Sequence, residues 1–363
     1  MRIRSVETTI VEIPFRDGGR GEGITPTTWR TLETVLVRVE DDDGVVGWGE
    51  GFGYFTADAT KAMIDRNVAP FAVGATIDDV PAWNLMVQRR LHLFGRYGIT
   101  LFALSGVDLA LWDLRAKREG KPLRDLLGPG RRTSIPCYAS LVRYGDDVIA
   151  PETCLRALAD GFTDLKLHEI TLRDIDACRD AVSAGVPISV DVNCNWDVAD
   201  AHRMVAHLAE HGHSWVEEPI FPPEDFLVLA SLRGRGIALA AGENWCTSVQ
   251  FEAAADAGAV DVLQPSVTKV GGVSEFLRVA ELASARGLGL VPHCPYFGPG
   301  LFTSLHLASA LDVVGQLEYL YVEREATLAD LGPIGPGGHV RVSDAPGNGF
   351  EPDPDVIRRY RRA

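Results

Sequence analysis

Short apolar runs that stop abruptly at a charged residue recur along the second half of the chain. Residues 187–191 read Pro-Ile-Ser-Val-Asp, 214–217 read Ser-Trp-Val-Glu and 237–243 read Ile-Ala-Leu-Ala-Ala-Gly-Glu, so Asp191, Glu217 and Glu243 each close one run. Apolar runs this short, without alternation, predict strands buried on both faces, as in a parallel sheet. A stretch with helical periodicity follows each run before the next strand begins. Strand, acid and helix at near-equal spacing predict parallel strands closed into a barrel, with their carboxyl ends facing one shared mouth.

The same pattern extends in both directions. Strands are predicted at 133–139, 163–168, 187–191, 214–217, 237–243, 260–264, 288–292 and 316–319, which makes eight. Helices are predicted between them at 146–160, 172–184, 198–211, 225–233, 248–257, 273–286 and 301–311, with Gly161 and Gly185 ending the first two. Ahead of the barrel, 3–13 and 32–40 alternate, and Asp41-Asp-Asp-Gly44 turns tightly into 45–50, which predicts antiparallel pairing. Helices follow at 57–67, 80–91 and 99–119, the last with Leu101, Leu104, Val107, Leu111 and Leu114 on one stripe. Residues 15–29, rich in glycine and without periodicity, with Arg16, Arg20 and Arg30 in or beside them, are expected to form a mobile loop. The division expected is an α+β unit over 1–125, the barrel over 126–325, and a glycine- and proline-rich segment, 326–363, that returns to the first unit.

Composition narrows the class of partner. An apolar fraction of 46% supports a large core, and a formal charge of −15, from 50 acids against 35 bases, argues against nucleic acid and anionic membranes. No stretch is long and apolar enough for a bilayer, and residues 1–7 alternate instead of forming the apolar centre of a signal peptide. Six cysteines without a Cys-x-x-Cys pair fit reduced thiols in the cytoplasm and not a zinc site.

Three acids converging on one mouth repel unless a divalent cation lies between them, and an all-oxygen set suits a hard ion such as Mg²⁺. The strand period puts Lys166 and His168 on one side of the second strand, facing the mouth. A lysine near a cation has its pKa lowered and can act as a base. His293, at the end of the seventh strand, stands across the barrel from Lys166, so two proton carriers flank the site. Glu318 projects from the eighth strand toward the mouth, and Asn193 shares the face of Asp191. Lys269, three residues beyond Ser266 and just before Gly271-Gly272, reads as a loop residue, and the histidines at 202, 207, 211 and 213 as surface residues.

Taken in order, Gly47-Trp-Gly-Glu50, Lys166-Leu-His168, Asp191-Val-Asn193, Val216-Glu-Glu-Pro219, Ala241-Gly-Glu-Asn-Trp245, Lys269-Val-Gly-Gly272 and Pro292-His293 resemble the enolase superfamily. The asparagine after the first acid, the Gly-Glu-Asn-Trp run and the seventh-strand histidine are similar to its mandelate racemase group. The resemblance implies an α/β fold, a (β/α)7β TIM-like barrel with an α+β capping domain, in a homo-oligomer. It implies Mg²⁺ on Asp191, Glu217 and Glu243, with Glu218 a neighbour and not a ligand, and a small-molecule carboxylate as substrate. Substrate contacts are expected from Asn193, Ser266, Glu318 and Trp245, and substrate choice from loops at 15–29 and 50–56. In this family an α-proton is removed to give an enediolate. Two positions depart from the group: His168 stands where its second lysine acts as base, and Ser266 where an aspartate pairs with the histidine. Lys166 is therefore the inferred base, with His168 as its rival.

Of the two outcomes, dehydration of a hydroxylated acid such as an aldonate or aldarate is favoured. Racemisation or epimerisation needs a competent base on each face, and Ser266 leaves His293 without a carboxylate partner. Two other classes compete. A metal hydrolase would draw on histidine ligands, and none of the three acids is followed by His-x-His. A catalytically inactive scaffold that keeps the metal is the other.

Overall fold

In the computed structural model of the chain, residues 1–19 and 29–362 are described. Most of the loop expected at 15–29, Arg20 included, thus lies outside the described residues. The chain opens with an antiparallel sheet, β1 (Ile3–Arg16), β2 (Thr31–Asp41) and β3 (Val46–Gly51). The turn between β2 and β3 is closed by Asp41, whose side chain accepts from the backbone NH of Val45 at 2.9 Å, with Gly44 at φ +82°. Helices α1 (Ala57–Met63), α2 (Val80–Arg90) and α3 (Ile99–Arg118) follow. The helix expected over 57–67 changes to a π-helical turn at Ile64–Val68. Strand β3 lies so close on α3 that a Cβ on Gly49 would come within 2.0 Å of the Gly106 carbonyl, which explains the Gly-Trp-Gly spelling.

A short helix, α4 (Arg124–Leu127), leads into the barrel. Its strands are β4 (Ser134–Ser140), β5 (Leu165–Leu167), β6 (Ile188–Asp191), β7 (Trp215–Glu217), β8 (Ala238–Ala241), β9 (Val262–Leu263), β10 (Gly289–Leu290) and, last in the ring, β11 (Leu317–Leu320). Neighbours pair in parallel in that order, β11 pairs β4, and a bridge from Leu290 to Val314 completes the ring beside β10. The crossovers are α5 (Ile149–Ala159), α6 (Leu172–Ala181), α7 (Val198–Glu210), α8 (Phe226–Leu232), α9 (Thr247–Asp256), α10 (Gly272–Arg286) and α11 (Pro299–Ala310). Side-chain caps at Thr171, Asp197 and Asp225 fix where α6, α7 and α8 begin. Helix α6 stops at Ala181, short of the predicted Gly185, because Val182 is already extended.

Two strands arise that alternation did not reveal. After the barrel, β12 (Glu323–Arg324) joins the edge of β1, and β13 (His339–Arg341) runs antiparallel to β4. The last helix, α12 (Pro354–Tyr360), lies on the first sheet, where Arg362 NH donates to the Ile10 carbonyl at 2.9 Å. Val11, Ile13, Leu36, Phe302, Leu328 and Phe350 form a second small core there. Among the described residues no helix is long and apolar enough to cross a membrane.

Candidate active site

Asp191 ends β6 and Glu217 ends β7, and the two are register partners in the parallel ladder. Glu243 comes two residues after β8, past Gly242, whose φ of +139° turns the chain. One oxygen from each of these three acids lies within 4.8 Å of the others. Carboxylate oxygens at that spacing fit a hard divalent cation, and no nitrogen or sulfur donor competes within the set. Glu218 stands behind them. It accepts from Gly242 NH at 3.0 Å and from the Asn244 amide at 3.3 Å, bracing the turn that carries Glu243, while burial and the charge of Glu243 push its carboxyl up to about 7.

Lys166 is enclosed beneath these groups. Its Nζ lies 2.9 Å from Glu217, 2.8 Å from Glu318 and 3.4 Å from Asp191, and the residue has no exposed surface. Burial works against its charge, yet Glu217, Glu318 and Asp191 hold its pKa well above the usual lysine value. Among these side chains alone, the three anions outweigh desolvation. Glu318 has both oxygens engaged: Oε1 by Lys166 and by the Ser140 hydroxyl at 2.7 Å, Oε2 by the Cys294 NH at 2.7 Å. Burial would raise its carboxyl, but Lys166 and His293 hold it low.

Above this layer is a cavity of about 340 Å³. His168, Asn193, Glu243, Lys269, His293 and Glu318 reach its wall, whereas Lys166 does not. His168 donates from Nδ1 to the Leu141 carbonyl, since a carbonyl can only accept, and its Nε2 lies 3.2 Å from Asp191. Asn193, at φ +43°, donates its backbone NH to Asp191 at 2.9 Å and turns its side-chain oxygen toward Arg143 at 3.4 Å.

His293 places Nε2 3.1 Å from Glu243 and Nδ1 3.4 Å from the Tyr296 hydroxyl. A carboxylate accepts, so Nε2 carries the proton, and in the neutral ring Nδ1 accepts from Tyr296. Burial lowers the pKa of this ring, more than the nearby Glu243 and Glu318 raise it. Tyr296 is held in turn by Ser266, which is fully buried and absent from the cavity wall. Ser266 therefore reaches the site only through Tyr296.

Trp245 is a correction to the expected substrate contacts. Its indole NH donates to the Pro223 carbonyl at 3.1 Å, and its ring packs between Phe226 and Phe251, at 5.2 and 5.3 Å. The chain has turned outward by that point, and the preceding Asn244 faces the cavity instead. Lys269, read as a loop residue, also proves to line the cavity. Its Nζ lies 3.3 Å from the Asn244 oxygen, 4.0 Å from Glu243 and 5.0 Å from the Phe52 ring centre. Lys269 and Tyr296 were missed because both lie in loops beyond a strand end, where the two-residue period no longer holds. Their one sequence signal is closeness to Ser266 and His293.

The capping unit closes the top with Trp29, Phe52, Tyr54, Phe55 and Phe102. It is tied to the His293 loop by Glu50 at the end of β3, which accepts from Gly300 NH at 2.8 Å, and by the Tyr54 hydroxyl, which donates to the Pro295 carbonyl. Burial pushes the Glu50 carboxyl up to about 7, despite the Gly300 NH.

Comparison with known proteins agrees with this arrangement. Residues 10–128 match the mandelate racemase / muconate lactonizing enzyme N-terminal domain, and 150–356 the enolase C-terminal domain-like family. The chain is 32% identical to the D-galactarolactone cycloisomerase of Agrobacterium fabrum over 349 residues, 90% of this chain and 91% of that protein. It is 31% identical to the L-rhamnonate dehydratase of Saccharopolyspora erythraea over 350 residues, 90% and 85% of the two chains. A racemase from Streptomyces coelicolor A3(2), solved with bound magnesium, superposes with a TM-score of 0.85 at 28% identity, covering 99% of this chain and 100% of that one. With both halves matched and the three carboxylates at successive strand ends, the chain belongs to the mandelate racemase/muconate lactonizing enzyme family of the enolase superfamily.

Proposed function

We propose that this protein removes the α-proton of a hydroxylated sugar acid and expels the oxygen substituent on the β-carbon, a dehydration when that substituent is a free hydroxyl. The observation that carries the reading is the triad Asp191, Glu217 and Glu243, within 4.8 Å of one another below a cavity that His168 and His293 both line. These residues would hold Mg²⁺, which when bound supplies the positive charge that makes the α-proton of a carboxylate removable. Relatives named as a sugar-acid dehydratase and a sugar-lactone cycloisomerase support the substrate class.

In this reading the base is His168 and not Lys166. Lys166 is cut off from the cavity and spent on three carboxylates, where it offsets their charge, while His168 presents Nε2. Behind Nδ1 His293 has only a neutral hydroxyl and no carboxylate to stabilise an imidazolium, so in its protonated form it gives a proton to the departing oxygen more readily than its neutral form takes one from carbon. That asymmetry favours elimination over racemisation.

The six free thiols, five of them buried, support a reducing compartment, the cytoplasm. Leu93, Phe94 and Tyr97, 80, 56 and 65% exposed, support a homo-oligomer.

The test is α-proton exchange in D₂O with Mg²⁺ and a panel of sugar acids, followed by NMR. Wild-type protein exchanges and turns over its substrate, His168→Asn loses both, and His293→Asn keeps exchange but loses elimination. Exchange intact in His168→Asn would overturn the assignment of the base, and no exchange with any acid would overturn the function.

A further inference from the structure

Glu12 and Glu33 are register partners across β1 and β2, two like charges set directly opposite in an antiparallel pair. Such a pair is destabilising unless a cation lies between the two. The cation is Arg362, beyond α12, which its backbone NH on the Ile10 carbonyl brings to the sheet. Its guanidinium reaches three carboxylates: Nε donates to Glu12 at 3.1 Å, one terminal nitrogen to Asp58 at 2.7 Å, and the other to Glu12 and Glu33. A planar fork of five donors serves several acceptors at once, which the point charge of a lysine does less well.

Glu33 passes this hold on to the cavity. Its Oε1 takes Arg362, and its Oε2 accepts the backbone NH of Phe55 at 2.6 Å. Phe55 stands at φ +58°, in the left-handed region, where a bulky residue stays only if its surroundings keep it. The surroundings act from both sides. A Cβ on Gly53 would come within 2.3 Å of the Glu33 carbonyl, so the loop is pressed onto β2, and Asp58, in the first turn of α1, ties the far end of the loop to the same guanidinium. Phe55 belongs to the aromatic roof of the cavity, its ring centre 6.4 Å from that of Trp29. Glu33 and Arg362 do not reach the cavity wall.

We infer that Glu33 and Arg362 are positioning residues for substrate binding: together they fix Phe55 in the roof, and so set the fit of the ligand without touching it. This rests on the reading of the cavity as the substrate site. Loss of the guanidinium leaves Glu12, Glu33 and Asp58 facing one another without a counter-charge. Glu33 then turns to water, the Phe55 NH loses its acceptor, and the residue relaxes out of the left-handed region, carrying its ring off the cavity. The carboxylate triad, His168 and His293 stand on the barrel, apart from this clamp, so the effect falls on binding and not on the chemical step.

The experiment compares the wild-type protein with Arg362→Gln, Arg362→Lys and Glu33→Ala, and with Arg358→Gln, a control that removes an exposed ion pair of α12 with Asp355. Amide hydrogen exchange, read by mass spectrometry on peptides covering 53–56, needs no ligand. KM and kcat are read with Mg²⁺ on the acid turned over fastest in a panel of aldonates and aldarates. In Arg362→Gln, exchange at 53–56 is expected to quicken about tenfold while exchange in the barrel strands is unchanged. KM is expected to rise about fivefold with kcat unaltered. Glu33→Ala gives the same result, Arg362→Lys recovers part of both effects, and Arg358→Gln moves neither. Unchanged exchange at 53–56 in Arg362→Gln would overturn the inference, as would exchange that rises equally over the barrel, the mark of a general loss of stability. Faster exchange with an unmoved KM would overturn it too, since Phe55 would then have no part in the fit. A wild-type protein that turns over no acid would overturn the elimination reading, and exchange at 53–56 then decides the clamp by itself.

Discussion

The Tyr296 hydroxyl stands 3.4 Å from Nδ1 of His293, so the nitrogen turned away from Glu243 is met by a phenol and not by a second carboxylate. A partner on the far nitrogen of a site histidine fixes its tautomer and angle, and removing such a partner costs roughly 10- to 100-fold in activity. Tyr296→Phe is expected to lower kcat by that factor with little change in KM, and Ser266→Ala to act in the same direction more weakly. Steady-state kinetics on a turned-over substrate checks this, and an undiminished kcat in Tyr296→Phe would remove Tyr296 from the account.

The carboxylate triad predicts a simple metal result. Glu217→Gln is expected to lose stoichiometric Mg²⁺ binding in calorimetry while its circular dichroism remains that of the wild type, since one of the three carboxylates proposed to hold the ion is gone. Unchanged stoichiometry and affinity would mean the ion is held elsewhere.

Lys166 neutralises a fully buried anionic cluster. Lys166→Met leaves Asp191, Glu217 and Glu318 without that cation, and breaking a buried pair in this way costs about 3–5 kcal/mol. Denaturant unfolding in chelator should show the deficit, and Mg²⁺ should narrow it by returning positive charge to the cluster. A deficit indifferent to Mg²⁺ would point to lost packing.

Glu50 gives stability a defined pH slope. Its folded pKa, about 7, lies above that of an unfolded glutamate, so the native state holds the proton more tightly. The stabilisation is complete below the unfolded value, near 4.3, and is lost as pH rises through about 7. Glu50→Gln removes the titration, so its stability relative to wild type should improve from pH 5 to pH 8 by on the order of 1–3 kcal/mol. Some slope persists in the variant, because burial also raises Asp108 and Glu218 to about 7. Parallel Tm profiles for the two proteins would contradict the prediction.

The convergence of the three carboxylates was legible because each acid ends an apolar run, so strand position alone fixed where it points. His168 and His293 were legible for the same reason. The enclosure of Lys166 was not, since it depends on Glu318, which lies 152 positions further along and joins it only when β11 closes against β4. Trp245 misled because one glycine at φ +139° had already turned the chain outward. The aromatic roof is made from residues 29–55 and 102, whose common direction is set by how the antiparallel sheet sits over the barrel and by no local pattern.

The Glu50 hydrogen bond to Gly300 has a consequence for how relatives of this chain could diverge. Gly298 and Gly300 are pressed so closely on Glu50 that a Cβ at either would come within 2.7 or 3.0 Å of its carboxylate. The loop that follows His293 and the strand that leads into the roof thus form one graft. A chimera given a foreign capping unit would inherit a new roof and, unless residues 294–300 came with it, a displaced His293. Recombination between family members would succeed where it exchanges both segments together, so the two should travel as a pair although some 240 residues lie between them.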